Sequence, residues 1–354
     1  MAFAAPRYSR ARVDRAGHAH RDGATEFEDH LVLENWRASH LYIINTFQAN
    51  LRSRRKSFDG SLTIAQRLKR RPTILDKLRR EPDMSLSRMH DIAGCRLIFE
   101  DISKLRDFRR QFHQSRARHE LVGDDDKYDY IISPKSSGYR GIHDVYKYVA
   151  YAATGETWNN IRIELQYRTI VQHAWATAVE IVDMVVETRL KFSEADDGIT
   201  RQFLVASELL ARAHEDVPGF CASVKTSELI EEFKEIEGKY HYISRLRELS
   251  SSEFGHFART SKLFVLVNYF DPGQAVYAEG YADNRSAVAA YERLEQRYHG
   301  KADVVLVGAS EQDAVKLAYT NYFSDASIFL KLLDEACERF GEKQQIGPRP
   351  RSTS

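Results

Sequence analysis

Residues 161–175 read IRIELQYRTIVQHAW. Ile161, Ile163, Leu165 and Tyr167 alternate with Arg162, Glu164, Gln166 and Arg168, the period-2 pattern of a half-buried strand. Thr169 follows at the place of an N-cap, so the spacing predicts a strand that feeds directly into a helix running to about Val186. The polar side of this strand sets a carboxylate between two guanidiniums, which suits a metal and phosphates. An exposed edge strand with a self-paired charge ladder would look the same, and this stretch alone leaves both readings open.

The surrounding chain narrows the choice. At 354 residues it is long enough for two cores. Its 52 Lys and Arg against 51 Asp and Glu give a net charge of +1, so the overall balance implies no nucleic-acid or membrane partner. The first 120 residues nevertheless hold 25 basic and 15 acidic side chains, which would draw an anionic substrate to that part. Cys95, Cys221 and Cys337 are few and widely spaced, against a disulfide framework or a zinc cluster. No apolar run approaches a membrane span and the basic N-terminus has no secretory core, so a cytoplasmic location is expected.

Along the chain, about 25 lead-in residues without clean periodicity are expected to be loosely packed. Amphipathic helices follow to roughly Ser53. Between Arg52 and Arg80 lie eleven Lys or Arg and two acids. His90 to Phe99 reads as a strand opening on Asp91 and carrying Arg96, and Ser103 to Arg118 as a basic surface helix. Two extended pieces flank a turn at Pro134, Ser136, Ser137 and Gly138, as in a hairpin-like loop. After a polar break at Ser193 to Gly198 come helical patterns, then three short strands (262–268, 277–281 and 302–307) with helices at 284–298 and 312–340. The expected division is 1–60 tail and helices, 61–195 a principal α/β (α+β) domain, 196–255 a helical connector, 256–345 a small α/β module and 346–354 a tail.

Four stretches carry the side chains of a phosphate-handling site. Arg67, Lys69 and Lys77 supply three cations that come together if the segment is helical or turned, enough to grip a triphosphate without a glycine loop; a solvated basic face is the simpler reading. Asp91 and Glu164, on two strands, are the minimum protein contribution to a Mg²⁺ site if those strands are neighbours. His90-Asp91 hints at a metal-dependent phosphohydrolase, but the further His and paired acids of such a site do not occur upstream. In residues 134–143, PKSSGYRGIH, Tyr139 can stack on a nucleobase while Lys135 and Arg140 meet phosphates and His143 lines the same turn. There is no Walker A loop, dinucleotide fingerprint or nucleophile elbow.

In order, RLKRRPTILDKL, HDIAGCRLIF, YDYIISPKSSGYRGIH and IELQYRTIVQHAWA resemble the RelA/SpoT-type alarmone synthetases, over roughly Gln66 to Val182. The resemblance implies a mixed-sheet, nucleotidyltransferase-like core and Mg²⁺-dependent transfer of the β,γ-pyrophosphate of ATP to the 3′-hydroxyl of GDP or GTP, the alarmone chemistry of the stringent response. By position, it implies that Arg67 and Arg96 bracket the adenine and that Lys69 and Lys77 hold the donor phosphates. Asp91 and Glu164 would hold the metal, Glu164 also facing the acceptor hydroxyl. Tyr139 would stack on guanine with Lys135, Arg140, His143 and Gln166 around it, while Arg168 and His173 complete the catalytic set. Ser137 and Gly141 depart from the Asn and Ser of many family members, which removes hydrogen-bonding capacity from the acceptor loop. The basic strip with Arg54, Arg55 and Lys56 admits another acceptor, the 3′ end of tRNA, as in related toxins. A catalytically silent nucleotide-binding regulator is the third reading, and retention of Asp91 and Glu164 counts against it. The family's hydrolase domain and long regulatory array are not recognised, so the expectation is a small, single-function form whose C-terminal module inhibits, senses a partner, joins copies of the chain or simply packs as a cap on the synthetase.

Overall fold

The 161–168 stretch forms the central strand of a five-stranded sheet in the computed structural model of the protein. The structure describes residues 3–69, 71–115, 118–124, 126–186, 196–249, 263–269, 277–298, 301–308 and 314–345. In chain order the strands are β1 (Leu62–Leu68), β2 (Ala93–Phe99), β3 (Glu120–Leu121), β4 (Ile142–Lys147) and β5 (Arg162–Thr169), arranged β1-β2-β5-β4-β3. β5 runs parallel to β2 and antiparallel to β4, so the sheet is mixed, as expected. Pairing on both sides removes the edge-strand reading.

Alternation decides which face is apolar. Ile163, Leu165 and Tyr167 of β5 are fully buried beside Leu97 and Phe99 of β2. Helices α2 (Phe27–Arg55) and α4 (Ile102–His113) cover this face, with the Phe99 ring tilted against Phe108 and Tyr146 near both Phe47 and Phe112. Burying such aliphatic and aromatic side chains stabilises by about 1.5–3 kcal/mol each. α4 is thus no simple surface helix: it buries Leu105, Phe108, Arg109 and Phe112 and ends at His113, short of Arg118.

Contact density divides the chain into two units, Met1–Ile132 with Gly141–Ile170, and Ser133–Arg140 with Val171–Ser354. In the first, the lead-in is not loosely packed. It contains α1 (Arg10–Asp22), capped by the Ser9 side chain. Asp14 of α1 accepts from the backbone N (2.8 Å) and hydroxyl (2.9 Å) of Ser87. The basic segment is also built differently from a single helix or turn. Arg67 ends up in β1, Lys69 just beyond it, and Lys77 in α3 (Arg71–Arg80).

The second unit contains α5 (Ile170–Val186), which begins directly after Thr169, then α6 (Asp196–Leu210), a π-turn (Ala211–Glu215), α7 (Thr226–Tyr240) and α8 (Tyr242–Leu249). β6 (Leu263–Tyr269), β7 (Tyr277–Tyr281), α9 (Asn284–Tyr298), β8 (Ala302–Gly308) and α10 (Ala314–Gln345) follow, the strands forming an antiparallel sheet ordered β7-β6-β8. The boundaries expected at 195 and 255 and the tail 346–354 lie outside the described residues. Among the described residues no helix is long and apolar enough to cross a membrane.

Gly17 tests how α1 docks. A Cβ there would lie 2.7 Å from Leu86 Cβ. Alanine gains about 1 kcal/mol in helix propensity, but overpacking costs about 1–3 kcal/mol. Gly17→Ala should therefore lower the urea midpoint; a raised midpoint would show that α1 is not tightly seated.

Candidate active site

Residues paired across neighbouring strands share a face of the sheet. Gly94 of β2 pairs with Glu164 of β5, Arg96 with Gln166, and His143 of β4 with Gln166 from the other side. Arg96, His143, Glu164 and Gln166 thus share the face opposite the core, and Arg168 follows on the same side of β5 with its side chain buried.

Asp91 sits in the segment leading into β2, which starts at Ala93 and not at His90. Lys69 Nζ donates to its Oδ2 at 2.6 Å and Lys77 Nζ to its Oδ1 at 3.2 Å. Two sequence-distant cations therefore converge on one carboxylate, which a solvated basic face would not do. Burial works against ionisation of Asp91, and so does the charge of Glu164. The charge and hydrogen bond of Lys69, with the charge of Lys77, prevail and hold the carboxyl below its ordinary value.

Glu164 Oε1 accepts from Gln166 Nε2 at 2.6 Å and lies 3.4 Å from His143 Nδ1. Burial would raise its pKa; His143, Gln166 and the charge of Lys77 outweigh that and bring it down to about 2. Lys77 thus acts on both carboxylates. Their hard oxygens suit a Mg²⁺-type ion, which fills its shell with water and phosphate oxygens. Among the described residues no group of three or more His, Cys, Asp and Glu is placed to hold a metal.

His90 was not among the residues singled out from sequence for the site. It is half-buried, and its pKa is lowered first by burial and then by the charge of Arg162, while Glu164 and Asp91 pull the other way. Its position next to Asp91 was the available signal. Arg67 pairs through its backbone with Gly94, and its side chain lies outside the described residues.

The reverse face carries a structural counterpart. Strand alternation turns His143 towards Glu164 and Asp144 towards α4, where Arg109 Nη2 donates to Asp144 Oδ1 at 2.8 Å and His113 Nε2 lies 2.7 Å from Oδ2. Burial raises the Asp144 pKa, but His113 and Arg109 together hold it below the ordinary value.

The remaining expected residues lie in the second unit. Lys135 is exposed, with Nζ 5.4 Å from the Tyr139 ring centroid. Tyr139 meets Trp175 edge-on, centroids 6.4 Å apart. His173, in α5, is half-buried. Arg140, expected to meet acceptor phosphates, is only 3% exposed and ion-paired with Glu215, also 3% exposed. Its position beside an exposed Lys in a turn did not reveal which way it faces.

Residues 66–182 match the family described as the region found in RelA / SpoT proteins. The matched region is residues 66–182 alone. It includes every residue of the Asp91–Glu164 cluster. The chain is also 28% identical over 183 residues to uncharacterized proteins of Mycobacterium tuberculosis and Mycobacterium bovis, covering 51% of this chain and 53% of each relative. It therefore spans about half the length of the curated relatives it matches. Among solved structures, it is similar to small alarmone synthetase 1 from Bacillus subtilis bound to its product pppGpp (22% identity, 56% of this chain and 93% of that one, TM-score 0.42). A GTP pyrophosphokinase family protein from Streptococcus pneumoniae is similar too (20% identity, 56% and 92%, TM-score 0.40).

The Asp144 anchor has a pH signature. A carboxyl held low in the folded state adds stability above its unfolded value, about 4, and that stability is lost as pH falls through the folded value. Urea midpoints measured between about pH 6 and about pH 3 should fall more steeply for the wild type than for Asp144→Asn. Equal slopes would mean that the carboxylate is not held by Arg109 and His113.

Proposed function

We propose that the chain is a pyrophosphotransferase that moves the β,γ-pyrophosphate of ATP to the 3′-hydroxyl of GDP or GTP, making alarmones in the cytoplasm. The observation that carries this reading is the convergence of Lys69 and Lys77 on Asp91, electrostatically tied to Glu164, inside a RelA/SpoT region. Phosphoryl-type transfer asks little covalent chemistry of a protein; it asks for positioned cations, a metal on the donor phosphates and an oriented acceptor.

In this reading Lys69 and Lys77 leave Asp91 for the donor phosphates, whose multiple charges outweigh a single carboxylate. Asp91, relieved of them, and Glu164 would hold Mg²⁺, which when bound neutralises charge on the transferring phosphates. Glu164 stays ionised at neutral pH, and Gln166 and His143 fix its Oε1, so its carboxylate can orient the acceptor hydroxyl. With so low a pKa it is a weak base, which favours an orienting role over proton abstraction before transfer. Arg96 and Arg67 flank the adenine, Tyr139 stacks on the acceptor base, Lys135 meets its phosphates, and Arg168 and His173 supply further polar groups.

The test is purified protein with γ-labelled ATP, Mg²⁺ and either free guanine nucleotides or deacylated tRNA. Labelled guanosine tetra- or pentaphosphate is expected. Asp91→Asn should lower turnover by about a hundredfold or more, and Lys77→Ala should raise the KM for ATP. Label on tRNA alone would replace the acceptor, and no labelled product with any acceptor would overturn the reading.

A further inference from the structure

We infer that Glu215 is a positioning residue for the loop Ser133–Arg140, and that the C-terminal helix α10 holds Glu215 in place. The inference rests on the reading above that Tyr139 and Lys135 in this loop receive the acceptor. It gives the C-terminal part of the chain a defined task.

The loop lies directly on α6. Gly138 has a left-handed φ of 88°, and its carbonyl accepts from Ser207 Oγ at 2.6 Å. A Cβ on Gly138 would stand 3.0 Å from Leu204 Cα and 3.2 Å from both Ser207 Cβ and Trp175 Cζ2, so backbone packs on helix with no room for a side chain. Within the loop, Gly138 N donates to Lys135 O at 2.8 Å and Lys135 N to Tyr139 O at 3.2 Å. These bonds fix the two side chains to the same turn. Trp175, which Tyr139 packs against, is itself held by a 2.8 Å bond from Nε1 to Phe203 O.

At the end of the loop Arg140 makes its ion pair with Glu215, and Gln172 Nε2 donates to the same carboxylate at 3.0 Å. Arg140 Nε and Nη2 have no hydrogen-bond partner among the described residues, so Glu215 compensates its charge. A buried pair of this kind behaves as a latch, because removing one member leaves an uncompensated buried charge that the segment relieves by moving.

Glu215 closes the π-turn, which ends at Asp216 with φ of 52°. Such turns depart from regular helical bonding and depend on outside contacts. α10 provides them. His214 Nε2 lies 2.8 Å from Leu332 O, and the Arg339 guanidinium donates to Ala213 O. Phe329 of α10 stacks on Phe203 of α6 with centroids 5.8 Å apart. α10 is braced in turn by α8, through Arg247 and Asp334 at 2.8 Å. The path from α10 to the loop is therefore continuous: Leu332 and Arg339 to the π-turn, Glu215 to Arg140, and Arg140 to Tyr139.

The experiment compares the full-length wild type with Glu215→Gln, Arg339→Ala and the milder Ser207→Ala. In steady-state transfer assays the KM for the acceptor should rise about tenfold or more in Glu215→Gln, with the KM for ATP within about twofold of wild type. In parallel, trypsin cleavage after the exposed Lys135 should be faster in all three variants, read by mass spectrometry. The proteolysis needs no turnover, so absence of transfer in the wild type would count against the proposed function and not against the latch. Unchanged cleavage at Lys135 in Ser207→Ala and Arg339→Ala, or a loss that falls equally on both KM values, would overturn the inference.

Discussion

Asp91, in the segment that leads into β2, and Glu164, in its parallel neighbour β5, carry like charges, and burial makes each harder to ionise. Such an arrangement persists only if neighbouring groups favour the charged forms. Lys69 and Lys77 do so for Asp91, His143 and Gln166 for Glu164, and Lys77 reaches both. The rest of the first unit serves that balance. β1 ends where Lys69 is needed, α3 presents Lys77, and β4 presents His143 while its neighbour Asp144 points the other way to fasten α4. One dipeptide thus contributes to the site on one face and to the core on the other.

Much of this could be read from residue order. Period-2 alternation located β5 and named its two faces, because every second residue from Ile161 is apolar. The three short strands near the C-terminus were equally plain, as brief apolar runs between turn residues. Strand adjacency was not, since pairing of β2 with β5 depends on contacts between residues some seventy positions apart. α1 escaped notice for a different reason. Its buried positions Val13, Ala16, Gly17 and His20 have helical spacing, but three of the four are small or polar and register weakly as an apolar stripe. Arg140 shows the limit of reading charge as exposure: its partner Glu215 is seventy-five residues away.

The second unit gains meaning from that pairing. Sequence assigned residues after 195 an architecture and no chemistry. The contacts from α10 through the π-turn to the loop 133–140 offer a physical reason for the matched region to be followed by further helices. They give α10 leverage on the loop that, in the proposed reading, receives the acceptor.

The central claim is that Lys69 and Lys77 exchange Asp91 for donor phosphates while Asp91 and Glu164 take up the metal. The most direct measurement is a crystal structure with Mn²⁺ and a non-hydrolysable ATP analogue, the ion located by its anomalous signal. The account predicts Mn²⁺ bound to both carboxylates, with the two lysine ammonium groups on phosphate oxygens. An analogue bound elsewhere, with both lysines still on Asp91, would contradict it.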